Sequence, residues 1–400
     1  MNPATPAPVP ARAMAASLPV DFWLLAALAT LICLGLVMVA SASISIAARG
    51  HGFELYYFVR QLEALTLGGA LGYGLFRLGL TRLMQWSSTG LLIGLALLIA
   101  VLVPGLGHKV NGSMRWVSFG YFTVQASEVA KLAIIVYLAA YLVRHRTQVE
   151  EKLWGFIKPL CVLAVIAGLL LCEPDMGTTV VLTATVLIMV WLGGVPLRTF
   201  LAPASAAPFL IYGLIKIEPY RWQRVLTFQN PWEHELTSGY QLTQSLIAFG
   251  RGEWLGTGLG NSVQKLFYLP EVHTDFIFAV IGEELGFVGT LLVIFLYLFF
   301  VWRMFLVGAR AEEAGLPYGA NLAYGFATLI GVEAYINIGV NLGFLPTKGL
   351  TLPFISYGSN STIVLCCALA IVLRVSYETR VSAQIPAPPP APPEESLAHD

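Results

Sequence analysis

Apolar runs long enough to cross a membrane recur along the whole chain, and this feature restricts the fold most. A helix of ~20 apolar residues spans a bilayer, and runs of about that length repeat here. Of the 400 residues, 57% are hydrophobic and 12% are charged, which is not the composition of a soluble domain. A β-barrel would show ~10-residue segments of alternating polarity instead. The sequence therefore predicts an all-α polytopic membrane protein.

The positions of these runs between turn signals predict about ten transmembrane helices. The predicted spans are 21–43, 59–80, 86–103, 126–143, 157–172, 176–192, 196–216, 275–302, 319–343 and 354–375. Arg and Lys concentrate in the short loops of one side, which is typical of the cytoplasmic side. Both termini are therefore expected in the cytoplasm, and a large extracytoplasmic loop, 217–274, joins the seventh and eighth spans.

The two ends of the chain differ in composition from the region of the spans. Residues 1–20 are rich in Pro and Ala, and 381–400 are rich in Pro, so both are expected to be disordered cytoplasmic tails of a transmembrane domain, 21–380. The five cysteines fall in apolar stretches and show no metal-type spacing, which argues against a disulfide framework. The formal net charge of zero gives no indication of a nucleic-acid partner.

Asp275 stands where the eighth span begins, after the stretch "YLPEVHT". One interpretation is an acid in the first turn of a helix, stabilised by the helix dipole. The other is a general base, because partial burial at the membrane surface would raise the pKa of the carboxyl toward neutrality. Glu283 and Glu284 place two further charges inside the same predicted span.

Glu128 and Lys131 are three residues apart on one predicted helix and therefore share a face. An ionisable group at membrane depth is costly and marks a functional site by default, although a self-neutralising structural pair is the alternative. Glu333, Asn337 and Asn341 form a polar stripe at a spacing of four, which favours hydrogen bonds between helices.

The remaining candidates lie in the outer loops. Glu173 and Asp175 flank a proline in a tight connection, and Asp175 is the expected N-cap of the following helix. Arg221 and Arg224 lie among tryptophans, a combination suited either to a phosphate or sugar or to anchoring at the membrane surface. The glycine-rich stretch 250–262 predicts either a flexible segment that a partner orders or close packing of backbones.

Four stretches taken together resemble the SEDS family (shape, elongation, division and sporulation), most like its FtsW branch rather than its RodA branch. They are "NGSMRWVSFGYFTVQASEVAKLA", "EPDMGTT", "GYQLTQSLIAFGRGEWLGTGLGNSVQKLFYLPEVHTDFIFAVIGEELGFVG" and "TKGLTLPFISYGSNS", in family order. Two departures are visible. Ala126 replaces the proline common before Ser-Glu, and Ser359 and Asn360 make "SYGSNS" from the usual "SYGGSS".

This resemblance implies a peptidoglycan glycosyltransferase that polymerises lipid II into glycan strands at the division septum of the bacterial inner membrane. It implies inverting transfer with release of undecaprenyl pyrophosphate, and it singles out Asp275 as the catalytic residue. It implies substrate contacts from Lys131 and Glu128 and, more loosely, from Arg115 and Glu173. Arg221 and Arg224 are added as substrate-binding candidates from their cationic and aromatic setting.

The resemblance also implies partners: the class B penicillin-binding protein FtsI as transpeptidase, with FtsQ, FtsL and FtsB as activators. No cofactor is expected with certainty. A divalent cation could share the stabilisation of the leaving group, although the sequence contains no dedicated set of metal ligands.

A lipid II flippase is the alternative function, because many spans with an ion pair at membrane depth would suit transport. A transporter needs binding chemistry at the midplane or at both faces. Here the unusual motifs cluster on the outer face, which favours the polymerase. A passive scaffold would leave the charges at membrane depth unexplained.

Overall fold

Helices and one small sheet make up the computed structural model, which describes residues 20–110, 113–119 and 122–384. The helices are α1 (Phe22–His51), α2 (Tyr56–Leu78), α3 (Leu80–Gln85), α4 (Ser87–Leu102), α5 (Ala126–Arg144), α6 (Arg146–Glu151), α7 (Leu153–Cys172), α8 (Met176–Leu192), α9 (Leu197–Ile217), α10 (Pro219–Gln229), α11 (Tyr240–Gly252), α12 (Ile277–Glu313), α13 (Pro317–Asn341) and α14 (Ser359–Gln384). The strands are β1 (Gly107–Val110), β2 (Ser113–Phe119) and β3 (Phe122–Gln125).

Long apolar helices confirm the polytopic helical fold. Within the described ranges, seven helices are long and apolar enough to cross a membrane, namely α1, α5, α7, α9, α12, α13 and α14. The apolar helices α4 and α8 are shorter, and α2 covers the remaining predicted span. Every predicted span thus overlaps a helix, while the count of ten crossings and their orientation stay predictions. The expected tails lie outside the described residues, except that α14 continues to Gln384.

The centre of the molecule is formed by α5 and α13, in whose apolar segments 78% and 67% of the residues are buried. They pack against each other, and α13 also contacts α8, α12 and α14. α9 contributes no buried residue and lies at the periphery. Because α5 and α13 are central, they bury the side chains of Glu128, Lys131, Glu333, Asn337 and Asn341 in the protein interior.

A three-stranded antiparallel sheet, in the order β1–β2–β3, precedes α5 and was not predicted as such from the sequence. β2 pairs with β3 from Trp116 opposite Gln125 to Phe119 opposite Phe122. The alternation along β2 buries Val117 and leaves Ser118 exposed, which is the period of a half-buried strand. Since β3 runs directly into α5, the sheet fixes the N-terminal end of that helix.

α12 is broken at Gly286, whose φ of 67° no helical residue adopts. The break frees main-chain groups of α12, and the segment after α11 pairs with them. Phe287 N–H donates to the Glu253 carbonyl at 2.8 Å, and Thr257 N–H donates to the Glu283 carbonyl at 2.9 Å. At Gly256, with φ 80°, an added Cβ would lie 2.2 Å from the Glu284 carbonyl oxygen. Close packing of backbones is therefore what the glycine-rich stretch provides.

Glu283 and Glu284 are fully buried and hold the same segment with their carboxylates. Glu283 accepts hydrogen bonds from Ser262 Oγ at 2.5 Å and Val263 N–H at 3.0 Å. Glu284 pairs with Lys265 Nζ at 3.0 Å and also accepts a hydrogen bond from a serine of α1. The two charges inside the predicted span thus anchor the chain that leads to Asp275.

Candidate active site

A cavity of about 740 Å³ lies between the sheet, α5, α13 and the segment that leads into α12. Its lining brings together five of the seven predicted site residues, namely Arg115, Glu128, Lys131, Arg224 and Asp275, and it also includes Glu333 from the polar stripe. The residues come from distant parts of the chain, so only the helical packing places them side by side.

Asp275 is partly buried and is held in the cavity by its main chain. Asn337 and Asn341 of α13 each donate a side-chain amide to its carbonyl oxygen at 3.0 Å. Its side chain does not cap α12, whose N-cap is Phe276 without a side-chain hydrogen bond. Within the described residues, no hydrogen bond or ion pair occupies the Asp275 carboxylate. The first-turn interpretation is therefore not what is observed, and the carboxylate stays available to a substrate.

The electrostatic setting of Asp275 suits a base that works near neutrality. Burial, and to a smaller extent the charge of Glu271, raise the pKa of this carboxyl to about 7, against the opposing effect of Arg115 and Arg224. A general base is most effective when its pKa lies near the working pH. The side chain also contacts the main chain closely, since a Cβ on Gly349 would lie 3.0 Å from Oδ2.

The stretch before α14 supports the same segment from the other side. Ser356 Oγ donates to the Thr274 carbonyl at 2.6 Å and accepts from Leu352 N–H at 2.8 Å. Tyr357 N–H donates to the His273 carbonyl at 2.9 Å. Asp275 is thus held by α13, and the two residues before it are held by the "LPFISYG" stretch, which was not connected with the catalytic position from the sequence.

Lys131 is buried between two carboxylates. Its Nζ lies 2.9 Å from Glu128 Oε1 and forms a second ion pair with Glu333. The expected pairing of Glu128 with Lys131 is observed, whereas Glu333 was expected only in hydrogen bonds between helices. The second oxygen of Glu128 is buried without a hydrogen-bond partner in the described part of the chain. The cluster therefore carries one more carboxylate than ammonium group.

Arg115, on β2, reaches the connection between α7 and α8. Its Nη2 donates to the Pro174 carbonyl at 2.8 Å and its Nε to the Glu173 carbonyl at 3.4 Å. Asp175 caps α8, because its carboxylate accepts from Thr178 N–H at 3.3 Å, as predicted. These contacts leave the guanidinium of Arg115 at the cavity wall.

Glu173 does not lie where the sequence analysis placed it. Its side chain is fully buried and is not among the residues that line the cavity. Neither carboxylate oxygen has a hydrogen-bond partner among the described residues. Burial, with the neighbouring charge of Asp175, raises the pKa of Glu173 to about 8 against the opposing effect of Arg115. Its carbonyl, not its carboxylate, serves the site by holding Arg115.

Arg224 lies on α10 and closes the cavity from the large outer loop. Its Nη1 donates to the Thr347 carbonyl at 3.1 Å, which joins that loop to the stretch before α14. Arg221 lies one turn earlier on α10, and its side chain falls outside the part that the structure describes. The loop expected at 217–274 is thus largely helical and contributes directly to the site.

Sequence reasoning missed Lys348 and Tyr357, which also line the cavity. Both residues lie in the stretch "TKGLTLPFISYGSNS", which marks the family resemblance, but nothing in its spacing indicates that it lies near Asp275. Within the described ranges, no group of three or more His, Cys, Asp or Glu side chains is arranged to hold a metal ion.

Comparisons with known proteins place this geometry in a family. Residues 22–381 match the sequence model of the FtsW/RodA/SpoVE family, described as cell cycle proteins. The chain is 52% identical over 363 residues to the probable peptidoglycan glycosyltransferase FtsW of Nitrosococcus halophilus, which covers 90% of this chain and 93% of the relative. It is 48% identical over 359 residues to that of Coxiella burnetii, covering 90% and 96%.

Solved structures agree with the sequence relatives. A chain of a peptidoglycan synthase complex, studied for its structural coordination of polymerization and crosslinking, superposes with a TM-score of 0.74 at 29% identity and covers 92% of this chain and 100% of its own. The rod shape determining protein RodA of Thermus thermophilus gives a TM-score of 0.64 at 28% identity, covering 89% and 96%. From the match over nearly its whole length, this chain belongs to the FtsW/RodA/SpoVE family of cell cycle proteins.

Proposed function

We propose that this protein is a peptidoglycan glycosyltransferase that polymerises lipid II. The observation that carries the proposal is one cavity in which Asp275, with a pKa near neutrality, lies together with Arg115 and Arg224. Joining two lipid-linked disaccharides needs a base at the acceptor hydroxyl and positive charge at the departing pyrophosphate. Relatives that are about 50% identical in sequence are named as probable peptidoglycan glycosyltransferases.

Asp275 acts as the general base. Its carboxylate takes the proton from the 4-hydroxyl of the acceptor sugar while that oxygen forms the bond to C1 of the donor sugar. The C1–O bond to the pyrophosphate breaks in the same displacement, and the bonding pair leaves with undecaprenyl pyrophosphate. An α-linked donor thereby gives a β-linked product with inversion, and no covalent sugar–enzyme intermediate is needed.

Arg115 and Arg224 stabilise the negative charge that develops on the leaving pyrophosphate. Guanidinium groups suit this task because they present paired donors to phosphate oxygens. Arg221, on the same helix as Arg224, is included as a further contact. Lys131 has a different role, because Glu128 and Glu333 already offset its charge. The three-residue cluster sets the electrostatic potential of the cavity floor.

The flippase function is disfavoured as the main activity. The base and the arginines meet at one end of the spans and not at both, and the relatives are named as glycosyltransferases. A transporter would not require a carboxylate poised near its pKa beside cationic side chains at one face.

The partners and the location follow from the same proposal. A structural relative belongs to a synthase complex that couples polymerization with crosslinking. We therefore propose that FtsI supplies the transpeptidase, that FtsQ, FtsL and FtsB activate the pair, and that the complex works at the septum of the inner membrane. The transmembrane domain, 21–380, carries the activity between its two tails.

The test is polymerisation of fluorescent lipid II by the purified protein, alone and with FtsI, followed by separation of glycan chains on a gel. Chains that appear with the wild type and not with Asp275→Asn support the proposal. No polymer from the wild type, alone or with FtsI, would refute the proposed activity, and equal polymerisation by the wild type and Asp275→Asn would refute Asp275 as the general base. Transbilayer movement of lipid II in proteoliposomes, without any polymer, would establish the flippase instead.

A further inference from the structure

Apart from the cluster of Glu128, Lys131 and Glu333, the lining of the cavity contains two chemically different groups of side chains together with Asp275. One part is cationic and contains Arg115, Arg224 and Lys348. The Asp275 carboxylate adjoins it, because it lies against Gly349, the neighbour of Lys348. The other part, called neutral below, starts at His273, two residues before Asp275, and its side chains are uncharged except for the adjoining Glu271. The proposed leaving-group chemistry uses the cationic part and gives no role to the neutral one.

Aromatic rings form the wall of the neutral part. Tyr357 and His273 line the cavity, with ring centroids 5.7 Å apart. Tyr57 packs behind both, at 4.4 Å from the His273 ring and 5.0 Å from the Tyr357 ring. His273 is only 8% exposed, and burial lowers its pKa, so the ring is neutral at physiological pH. Faces of neutral aromatic rings bind apolar C–H surfaces while their edges stay near polar groups.

Polar, uncharged side chains surround this wall. Thr351, Ser359, Asn360 and Ser361 line the cavity beside Tyr357. Ser359 and Asn360 are the two positions at which this chain departs from the usual "SYGGSS". The departures therefore fall in the cavity and add a hydroxyl and a carboxamide to it. An amide side chain both donates and accepts hydrogen bonds, as the acetamido and hydroxyl groups of an amino sugar do.

We propose that the neutral wall is the subsite for the acceptor sugar. The C–H face of the acceptor's acetamido sugar lies on Tyr357, Asn360 hydrogen-bonds its acetamido group, and the 4-hydroxyl is directed to Asp275. This rests on the proposed function. It assigns the two substrates to opposite parts of one cavity, the donor pyrophosphate to the arginines and the acceptor sugar to the aromatic wall.

The test measures inhibition of lipid II polymerisation by two soluble probes, the lipid-free disaccharide and inorganic pyrophosphate. The variants are Tyr357→Leu, which removes the ring, and Tyr357→Phe, which keeps it. Loss of an aromatic contact of this kind weakens binding about tenfold. We expect Tyr357→Leu to raise the inhibition constant of the disaccharide by that factor and to leave that of pyrophosphate unchanged. Tyr357→Phe should behave like the wild type toward both probes.

Asn360→Ser provides a second, independent measurement, because it restores the residue common in the family and should fold. The disaccharide and its de-N-acetylated form are compared as inhibitors. The wild type is expected to bind the acetylated form more tightly. In Asn360→Ser the ratio of the two inhibition constants should fall several-fold, as expected for the loss of one hydrogen bond.

The outcomes separate the two proposals. A wild type that makes no polymer even with FtsI, FtsQ, FtsL and FtsB present overturns the proposed function. A wild type that polymerises but is not inhibited by the disaccharide overturns the subsite. So does a folded, active Tyr357→Leu that responds equally to both probes, or that loses affinity for both together.

Discussion

Asn341 donates its side-chain amide to the backbone carbonyl of Asp275 at 3.0 Å, across 66 residues of sequence. The same amide donates to the Asn337 carbonyl at 2.9 Å, and the Asn341 side-chain oxygen accepts from Ala279 N–H at 3.1 Å. The candidate base is therefore fixed through its main chain, and the carboxylate is not consumed by the contact that positions it.

The pH dependence of polymerisation should report Asp275. Burial raises its pKa above the ordinary value to about 7, and a general base works only when it is deprotonated. We expect kcat/KM to fall as the pH decreases through about 7 and to level off above it. Initial rates between mildly acidic and mildly alkaline pH measure this. A rate that stays constant down to the ordinary range of an aspartate would contradict the role of the base.

Removal of the Glu271 charge should shift the fall of kcat/KM to a lower pH. The negative charge of Glu271 raises the pKa of Asp275, so Glu271→Gln lowers it and keeps activity to a lower pH. The amide oxygen of Gln can still accept the Thr274 hydroxyl that Glu271 Oε2 accepts at 2.9 Å. Glu150→Gln, at an exposed ion pair with Arg146, is the matched control and should leave the profile in place.

Asn341→Ala should slow the reaction more than it weakens binding. It removes one of the two hydrogen-bond donors to the Asp275 carbonyl, so that only Asn337 still donates to it, at a cost of about 1–3 kcal/mol. We expect kcat to fall at least tenfold while KM changes little, since no cavity-lining side chain is removed. A variant whose KM rises and whose kcat is retained would show that Asn341 acts on substrate affinity instead.

Exchange of Glu128 and Lys131 tests the three-residue cluster. A simple pair would tolerate the double variant Glu128→Lys with Lys131→Glu. Here the new glutamate at 131 would lie beside Glu333, and a buried charge left without its partner costs about 3–5 kcal/mol. We expect a marked loss of thermal stability in detergent. Glu333→Gln added to the exchange should restore stability, and failure to do so would mean that Glu333 does not share the ammonium group.

Two glycines within residues 217–274, Gly250 and Gly256, provide a matched pair of alanine variants that tests how this segment packs against α12. Gly256→Ala forces a Cβ to within 2.2 Å of the Glu284 carbonyl at a φ of 80°. The conformation alone costs on the order of 1–3 kcal/mol. Gly250→Ala meets no atom within 4 Å in α11 and should stabilise the helix by about 0.5–1 kcal/mol.

Hydrogen exchange of 253–268 and polymerisation measure both glycine variants. Gly256→Ala should increase exchange in this segment and reduce activity, whereas Gly250→Ala should change neither. If both alanine variants exchange alike, the packing of the segment is not what supports the site.

Residues close in sequence, or marked by charge at membrane depth, were predictable. Glu128 and Lys131 share a helix face at a spacing that the sequence states directly, and Asp175 follows a standard capping pattern. Asp275 was singled out by its position at the start of a predicted span and by the resemblance to the SEDS family, and the structure places it in the cavity. The first two inferences needed only local geometry.

Contacts between distant segments were not predictable. The second partner of Lys131 lies 202 residues away, and nothing in a spacing of four along α13 says whether Glu333 faces an asparagine or a lysine. Glu173 could not be placed for a related reason, because its carbonyl accepts a hydrogen bond from Arg115, 58 residues away, while its side chain is buried away from the cavity lining. The three-stranded sheet was missed because its strands are short and lie between spans.

The pairing of Glu283 and Glu284 with residues 260–265 also sets the order in which the molecule can be completed. The ribosome releases that segment before either glutamate, and before α13 and its asparagines exist. Its main-chain donors therefore lack their carboxylate partners until α12 has formed, and Asp275 gains the support of the α13 asparagines only after that helix follows. The site is thus completed late during biosynthesis, so a chain arrested before α13 has inserted would contain every span up to the base and still lack the site.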